Sequence, residues 1–159
     1  MLAIDLIAVG KLKERYWREA AAEYEKRLSA YAQLRVFELP DRSEHGDGPE
    51  ALLKAEAVLI IDCLKRQRTA APLILLDIGG VATSSEHLAT RLSAQEASGN
   101  PRLTFIIGGS HGVAAEIRKV ANERLSFGQI TLPHNLARIV LLEQLYRACR
   151  INRGEPYHK

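Results

Sequence analysis

The chain has 159 residues, of which 47% are apolar and 26% charged, and its formal net charge is +3 at pH 7. This length and composition predict one soluble domain, residues 1–159, with an ordinary buried core. No apolar run reaches the roughly 18 residues of a membrane span. The N-terminal apolar run contains Asp5 and lacks a preceding basic segment, so we expect no signal peptide and a cytoplasmic protein.

Strand and helix patterns alternate along the chain. In chain order the predicted elements are strand Leu2–Val9, helix Lys13–Ala30, strand Leu34–Leu39, a mobile loop Asp41–Pro49, helix Glu50–Arg68, strand Leu73–Ile78, helix Ser84–Ser98, strand Leu103–Ile107, helix Val113–Leu125, strand Phe127–Leu132 and helix His134–Arg150. Ser84 or Ser85 suits the cap of the third helix, and Pro133 suits the first turn of the last. The alternation predicts an α/β domain with a mainly parallel sheet and helices on both faces.

Small and flexible residues follow three of the predicted strands, at Leu76–Gly80, Ile107–Gly112 and Leu132–His134. Ligands of open parallel sheets bind beyond the carboxyl ends of the strands, so we expect a ligand where these exits meet. The glycine loop IGGSHG has the spacing GGxxG rather than GxGxxG, and no GxxxxGK[ST] sequence occurs. The sequence therefore does not favour a nicotinamide or nucleoside-triphosphate site.

The same glycine loop matches G-x-S-x-G, the nucleophile elbow of serine hydrolases. Ser110 is then the nucleophile, Glu143 or Glu155 the acid and His158 the base, in the chain order Ser, Glu, His. A triad needs a rigidly held base, whereas His158 lies on a tail that is predicted to be flexible. A small serine hydrolase is therefore an alternative function.

Neither the histidines nor the cysteines indicate a metal site. The five histidines form no HExxH sequence and pair with no cysteine at zinc-finger spacing, so no metal is expected. Cys63 and Cys149 lie among apolar residues of helical patterns and are predicted to be buried, reduced thiols.

The positive charge is concentrated at the C-terminus. From His134 onward there are five Lys or Arg residues against two acidic ones, so the whole net charge of +3 lies in the last 26 residues. The ring side chains of Tyr157 and His158 stand among these cations, which suits a phosphate-bearing partner; a solvated helix with a frayed tail is the alternative. The last helix is apolar nearly all round, which predicts a buried helix that also meets a second subunit in a homodimer.

Three stretches together resemble one bacterial family. They are LLDIGG at Leu75–Gly80, FIIGGSHG at Phe105–Gly112 and the C-terminal block ITLPHNLARIVLLEQLYRACRINRGEPYHK. In order and spacing they are similar to the ribosomal RNA large subunit methyltransferase H family of the SPOUT superfamily. The resemblance implies a homodimer with a deep C-terminal trefoil knot that binds S-adenosylmethionine. The implied cofactor contacts, largely through the backbone, are Leu76, Gly108, Phe127, Gly128, Gln129, Ile130, Thr131 and Leu132.

The resemblance also implies a reaction. The methyl group is transferred to N3 of a pseudouridine in 23S ribosomal RNA, in the assembled ribosome. Arg147, Tyr157 and His158 then position the substrate, Glu143 orients Arg147, and a neutral His158 can accept the proton of the imide nitrogen. A ribosome-binding protein without chemistry is the non-enzymatic alternative, and cofactor binding distinguishes the two.

Overall fold

The computed structural model describes residues 1–42, 48–67 and 70–157. Within these residues five strands alternate with five helices, which confirms the predicted order. The elements are β1 Leu2–Val9, α1 Arg15–Leu28, β2 Ala32–Leu39, α2 Gly48–Arg66, β3 Leu73–Ala82, α3 Ser85–Glu96, β4 Arg102–Ile107, α4 Ala115–Val120, β5 Glu123–Ser126 and α5 His134–Asn152.

The five strands form one sheet in the order β2-β1-β4-β3-β5, and every neighbouring pair is parallel. One apolar core lies between the sheet and α1, α3 and α5, and a second lies between the opposite face and α2 and α4. The mainly parallel sheet and the helices on both faces are therefore confirmed. β1 and β4 lie in the middle of the sheet and are almost continuously buried, which is why they are apolar runs rather than alternating patterns.

The predicted last strand, Phe127–Leu132, is wrong. β5 comprises Glu123–Ser126, and the helix predicted over Val113–Leu125 is only Ala115–Val120. The strand was missed because two of its four residues are charged. Those charges are accommodated at the sheet edge, where Arg91 Nε donates to Glu123 at 2.7 Å and Arg124 Nη1 donates to Asp77 at 3.3 Å.

Two other boundaries differ from the prediction. β3 runs on to Ala82 past an irregularity in which Leu76 and Val81 both align with Leu125 of β5. The intervening residues 77–80 are thereby pushed out of the ladder, beside the carboxyl end of β4. Pro133 is the extended N-cap residue of α5 rather than a member of its first turn. The predicted cap Ser84 is confirmed, since its Oγ accepts from the His87 N–H at 3.0 Å.

The mobile loop predicted for Asp41–Pro49 overlaps α2, which begins at Gly48, and residues 43–47 lie outside the described residues. α5 is buried, as predicted, because it packs between α1 and α3. Six residues of α5 are buried and most of the others, Leu136, Ile139 and Val140 among them, are partly exposed, so the contact of α5 with a second subunit stays a prediction. None of the described helices has the length and hydropathy to cross a membrane.

Candidate functional site

A cavity of about 680 Å³ opens at the carboxyl edge of the sheet. All three stretches that were predicted as strand exits contribute to its wall: β3 at its irregularity beside Leu76, the glycine loop after β4, and the segment leading into α5. The volume lies within the roughly 300–1,000 Å³ typical of small-molecule sites. Of the eight residues that the family resemblance assigns to the cofactor, all but Gln129 line this cavity. Their role in binding stays a prediction.

The glycine loop that follows β4 folds back on itself. Gly109 and Gly112 form an isolated bridge, in which the Gly112 N–H donates to the Gly109 carbonyl at 3.1 Å. A Cβ atom on Gly108 would lie 2.5 Å from the Gly112 carbonyl oxygen and 2.6 Å from a methyl carbon of Val113. Glycine is therefore required at position 108 for the loop to close, and the closed loop presents backbone to the cavity.

The segment between β5 and α5 is a shaped loop. Buried Ser126 holds a tight turn: its Oγ donates to the Gly128 carbonyl at 2.9 Å and accepts from the Gly128 N–H at 3.0 Å. Gly128 has a φ of +117°, which explains why this turn takes glycine. Phe127 packs against the core, whereas Ile130 is 81% exposed at the cavity. The result is an apolar wall with backbone groups, which suits a nucleoside-like ligand.

A fixed charge cluster stands on one side of the cavity. Asp77 accepts from the Gly79 N–H at 3.1 Å, from Arg118 Nε at 3.1 Å and from Arg124 Nη1 at 3.3 Å. Burial by itself would raise the pKa of Asp77, but these hydrogen bonds and the positive charge of Arg118 lower it below its usual value. Asp77 is therefore ionised, and its carboxylate and Arg118 give the cavity a polar side.

A second carboxyl group lies beneath the glycine loop. Glu56 of α2 is only 3% exposed, and its Oε1 would be 3.1 Å from a Cβ atom on Gly109. Burial, together with the nearby charge of Asp41, raises the pKa of Glu56 to about 7. The sequence contained no signal for this group, because Glu56 sits in an unremarkable helical pattern.

Three residues of the predicted substrate site, Glu143, Arg147 and Tyr157, lie in a separate group in the C-terminal half of α5 and the segment after it. Together with Arg150 and Glu155 they form what we call the tail cluster. Arg147 donates to Glu143 Oε1 through Nε at 2.9 Å and Nη2 at 2.6 Å, as expected for a carboxylate that orients a guanidinium. Its Nη1 reaches the Tyr157 carbonyl at 3.3 Å, and its guanidinium carbon lies 4.7 Å from the centre of the Tyr157 ring. The structure thus brings Glu143, Arg147 and Tyr157 together.

The C-terminal segment is docked rather than extended into solvent. Glu155 accepts from the Tyr31 hydroxyl at 2.7 Å and pairs with Arg150 at 2.6 Å. The Tyr157 ring packs edge-on against Tyr146, with 4.9 Å between the ring centres, and is half-buried. Arg153, Gly154 and Pro156 are exposed, as predicted, but Glu155 and Tyr157 are held by aromatic and arginine side chains of α5 and by a tyrosine before β2, so the prediction of a free tail is wrong at these two residues. His158 and Lys159 lie outside the described residues.

The cavity lies at the N-terminal end of α5, and the tail cluster lies in its C-terminal half and the segment that follows. His134 and Ala137 line the cavity, and Arg147 follows them on the same helix. At about 1.5 Å per residue, the ten residues from Ala137 to Arg147 span about 15 Å. Neither Arg147 nor Tyr157 lines the cavity of its own chain.

This separation also removes the proposed hydrolase triad. Ser110 is exposed on the glycine loop, with its Oγ 3.2 Å from His111 Nδ1. Glu143 and Glu155 are both held in the tail cluster by arginines, away from Ser110. Among the described residues, no group of three His, Cys, Asp or Glu side chains is placed to hold a metal ion.

Comparisons with known proteins agree with this geometry. A family model described as "Predicted SPOUT methyltransferase" matches residues 2–158. Proteins named "Ribosomal RNA large subunit methyltransferase H" from Bacillus thuringiensis (strain Al Hakam) and Bacillus anthracis are each 48% identical to the chain, over 98% of it and 99% of their own length.

Two solved structures share the fold at low identity. A probable methylase family protein from Haemophilus influenzae Rd KW20 is 14% identical, with a TM-score of 0.54 over 99% of this chain and 70% of that one. A putative methyltransferase from Legionella pneumophila, solved with the bound cofactor SAM, is 15% identical, with a TM-score of 0.50 over 92% of this chain and 66% of that one.

Proposed function

The chain belongs to the SPOUT methyltransferase family, and we propose that it transfers the methyl group of S-adenosylmethionine to N3 of a pseudouridine in 23S ribosomal RNA. The observation that carries the proposal is the cavity at the strand exits, which is lined by the segments that resemble this family. Residues 1–159 act as one domain, in the cytoplasm, on the assembled ribosome.

The cavity fits the proposed methyl donor. Its volume of about 680 Å³ accommodates a molecule of that size, and its wall combines the apolar side chains of Leu76 and Leu132 with the backbone of the glycine loop. Asp77 and Arg118 provide charged partners on one side for the amino-acid end of the donor. When bound, S-adenosylmethionine supplies an activated sulfonium methyl group.

The chain itself contributes orientation and charge. Holding the acceptor nitrogen in line with the methyl group can contribute about 7–11 kcal/mol to lowering the barrier. The imide nitrogen must lose its proton, and the guanidinium of Arg147, fixed by Glu143, stabilises the resulting anion. Tyr157 stacks on or beside the base, and His158 accepts the proton.

We infer that the active site is shared between two chains. In one subunit Arg147 is about 15 Å along α5 from Ala137 of the cavity wall, and neither Arg147 nor Tyr157 lines the cavity. A site that uses both must take the cavity from one chain and the tail cluster from another, and a two-fold homodimer creates two such sites. Each subunit then contributes its cavity to one site and its tail cluster to the other.

Methyl transfer to ribosomes tests the proposal. The protein is incubated with labelled S-adenosylmethionine and ribosomes from cells that lack this modification, and the large-subunit RNA is analysed for N3-methylpseudouridine. We expect label in that nucleoside. Calorimetric binding of S-adenosylmethionine without any label would favour another acceptor, and ribosome binding without cofactor binding would favour the non-catalytic alternative.

A serine substitution distinguishes the methyltransferase proposal from the hydrolase alternative. Ser110→Ala should keep most of the methyl transfer, because the Ser110 side chain is exposed and the acids of the proposed triad are held elsewhere. Complete loss of transfer with normal cofactor binding would make Ser110 a chemical residue.

A further inference from the structure

A second basic surface lies at the corner between β1 and α1, which we call the corner segment (residues 11–19, KLKERYWRE). It contains four cationic residues, Lys11, Lys13, Arg15 and Arg18, against Glu14 and Glu19. All four cationic residues are exposed. The net charge of the chain does not reveal this surface, because the positive and negative residues before His134 are equal in number.

The corner segment adjoins the cavity. It begins directly after Gly10, at the carboxyl end of β1, which is the same sheet edge at which the cavity opens. A Cβ atom on Gly10 would lie 3.1 Å from Nε2 of His134, a residue of the cavity wall. Lys11 follows Gly10 at once, so its ammonium group can reach a molecule that projects from the cavity.

The fold holds the backbone of this corner in place. Between the two exposed lysines, Leu12 is 7% exposed and belongs to the apolar core. Arg18 Nη1 donates to the Leu12 carbonyl at 3.1 Å and also to the Lys13 carbonyl. From α5, Arg138 Nη2 donates to the Gly10 carbonyl at 2.8 Å. The lysines are thus presented from a rigid loop, which lowers the entropic cost of binding a partner.

An exposed aromatic ring accompanies these charges. Tyr16 is 63% exposed, and its ring centre lies 5.2 Å from that of Trp17, which packs against the core. Exposed lysines on the same segment as an accessible ring form a combination that binds nucleic acid: ammonium groups contact phosphates, and the ring stacks on an unpaired base. Binding to an acidic protein surface would require the cations but not the exposed ring.

We propose that the corner segment binds the phosphate backbone of ribosomal RNA next to the target nucleotide, with Lys11 and Lys13 on phosphates and Tyr16 as a stacking platform. The inference rests on the proposed function. The corner segment lies beside the cavity of its own subunit, whereas the tail cluster comes from the partner. The RNA is therefore held from both sides of the base to be methylated.

The salt dependence of methyl transfer tests the phosphate contacts. The full-length double variant Lys11→Gln/Lys13→Gln is compared with wild type and with Lys65→Gln/Arg66→Gln, which removes the same charge from exposed residues at the C-terminal end of α2. Each lost phosphate contact reduces the log–log salt slope by about 0.7–0.9. The ratio of wild-type to double-variant kcat/KM for ribosomes should therefore shrink about tenfold between 50 and 200 mM salt, while the control keeps the wild-type slope.

Tyr16 provides an independent test. Tyr16→Ala should raise the KM for ribosomes, Tyr16→Phe should not, and a photo-crosslinking benzophenone amino acid at position 16 should label 23S RNA. If only ribosomal protein is crosslinked, the corner segment binds protein rather than RNA, and the proposal is overturned.

Two further outcomes also overturn the proposal. The first is a salt slope of the double variant equal to that of wild type. The second is a loss of calorimetric S-adenosylmethionine binding, without ribosomes, as large as the loss of kcat/KM, because the corner segment would then only support the cavity. Failure of the proposed function is distinguishable, because the wild type itself would then place no methyl group on ribosomal RNA.

Discussion

Glu56 makes the stability of the fold depend on pH in a way that can be calculated. Its carboxyl group is 3% exposed beneath the glycine loop, and burial raises its pKa from 4.5 to about 7. The folded state thus holds the proton more tightly than the unfolded chain does. The contribution of Glu56 to stability is therefore complete below pH 4.5 and is lost as the pH rises to about 7.

The expected size of the effect follows from the shift. At about 1.36 kcal/mol per pKa unit, the change from 4.5 to about 7 corresponds to about 3 kcal/mol. Glu56→Gln preserves the shape of the side chain and removes the ionisation. The difference in unfolding free energy, variant minus wild type, should therefore be about 3 kcal/mol larger at pH 8 than at pH 4.5.

Urea unfolding at a series of pH values measures this difference. Protein concentration is kept fixed, because dissociation of an oligomer contributes to apparent stability. Glu116→Gln, on an exposed residue of α4, serves as the control for the removal of one carboxylate from the surface. If the curves of Glu56→Gln and wild type run parallel from pH 4.5 to 8, burial does not raise the pKa of Glu56 and the reasoning fails.

Three further predictions concern the site. Gly108→Val should abolish calorimetric S-adenosylmethionine binding, because its Cβ would overlap the Gly112 carbonyl at 2.5 Å; binding at wild-type affinity would contradict the requirement for glycine in the closed loop. Deletion of Tyr157–Lys159 should abolish methyl transfer to ribosomes and lower the urea stability, because it removes the packing of Tyr157 on Tyr146 and Arg147. Tyr157→Phe should retain more activity than Tyr157→Ala, and a truncated enzyme with the wild-type rate would show that the segment is dispensable for methyl transfer. Sedimentation at micromolar concentration should show a dimer, and a fully active monomer would exclude the shared site. Mixing tail-deleted subunits with Gly108→Val subunits should restore methyl transfer, because a hybrid dimer combines the intact cavity of one subunit with the intact tail cluster of the other.

Much of the fold was predictable because it depends on patterns within short stretches. The buried strands β1 and β4 are continuous apolar runs, and their lengths match the prediction closely. The end of β4 before the glycine loop was also visible, whereas β3 continues through Gly79 and Gly80 to Ala82 and β5 ends at Ser126, well before Pro133. β5 was not predictable in the same way, because an edge strand with charged residues has neither an apolar run nor an alternating pattern.

The tail cluster illustrates how local composition can mislead. Polar and glycine-containing residues after α5 are typical of a frayed end, and nothing within that stretch indicates the Tyr31 hydroxyl that binds Glu155 at 2.7 Å. That hydrogen bond joins residues 124 positions apart in the chain. The family resemblance predicts a functional role for Tyr157, but it could not show that the residue is half-buried against Tyr146.

The sequence by itself determined the class of fold, the order of its elements, the strand exits that line the cavity and, through resemblance, the family. These properties depend on residue spacing, which is local. Only the tertiary structure decided that Glu56 lies under the glycine loop, that the corner segment adjoins the cavity, and that Arg147 and Tyr157 lie outside the cavity of their own chain. Such properties depend on distances between residues remote in the chain, and these distances exist only once the sheet and helices have packed.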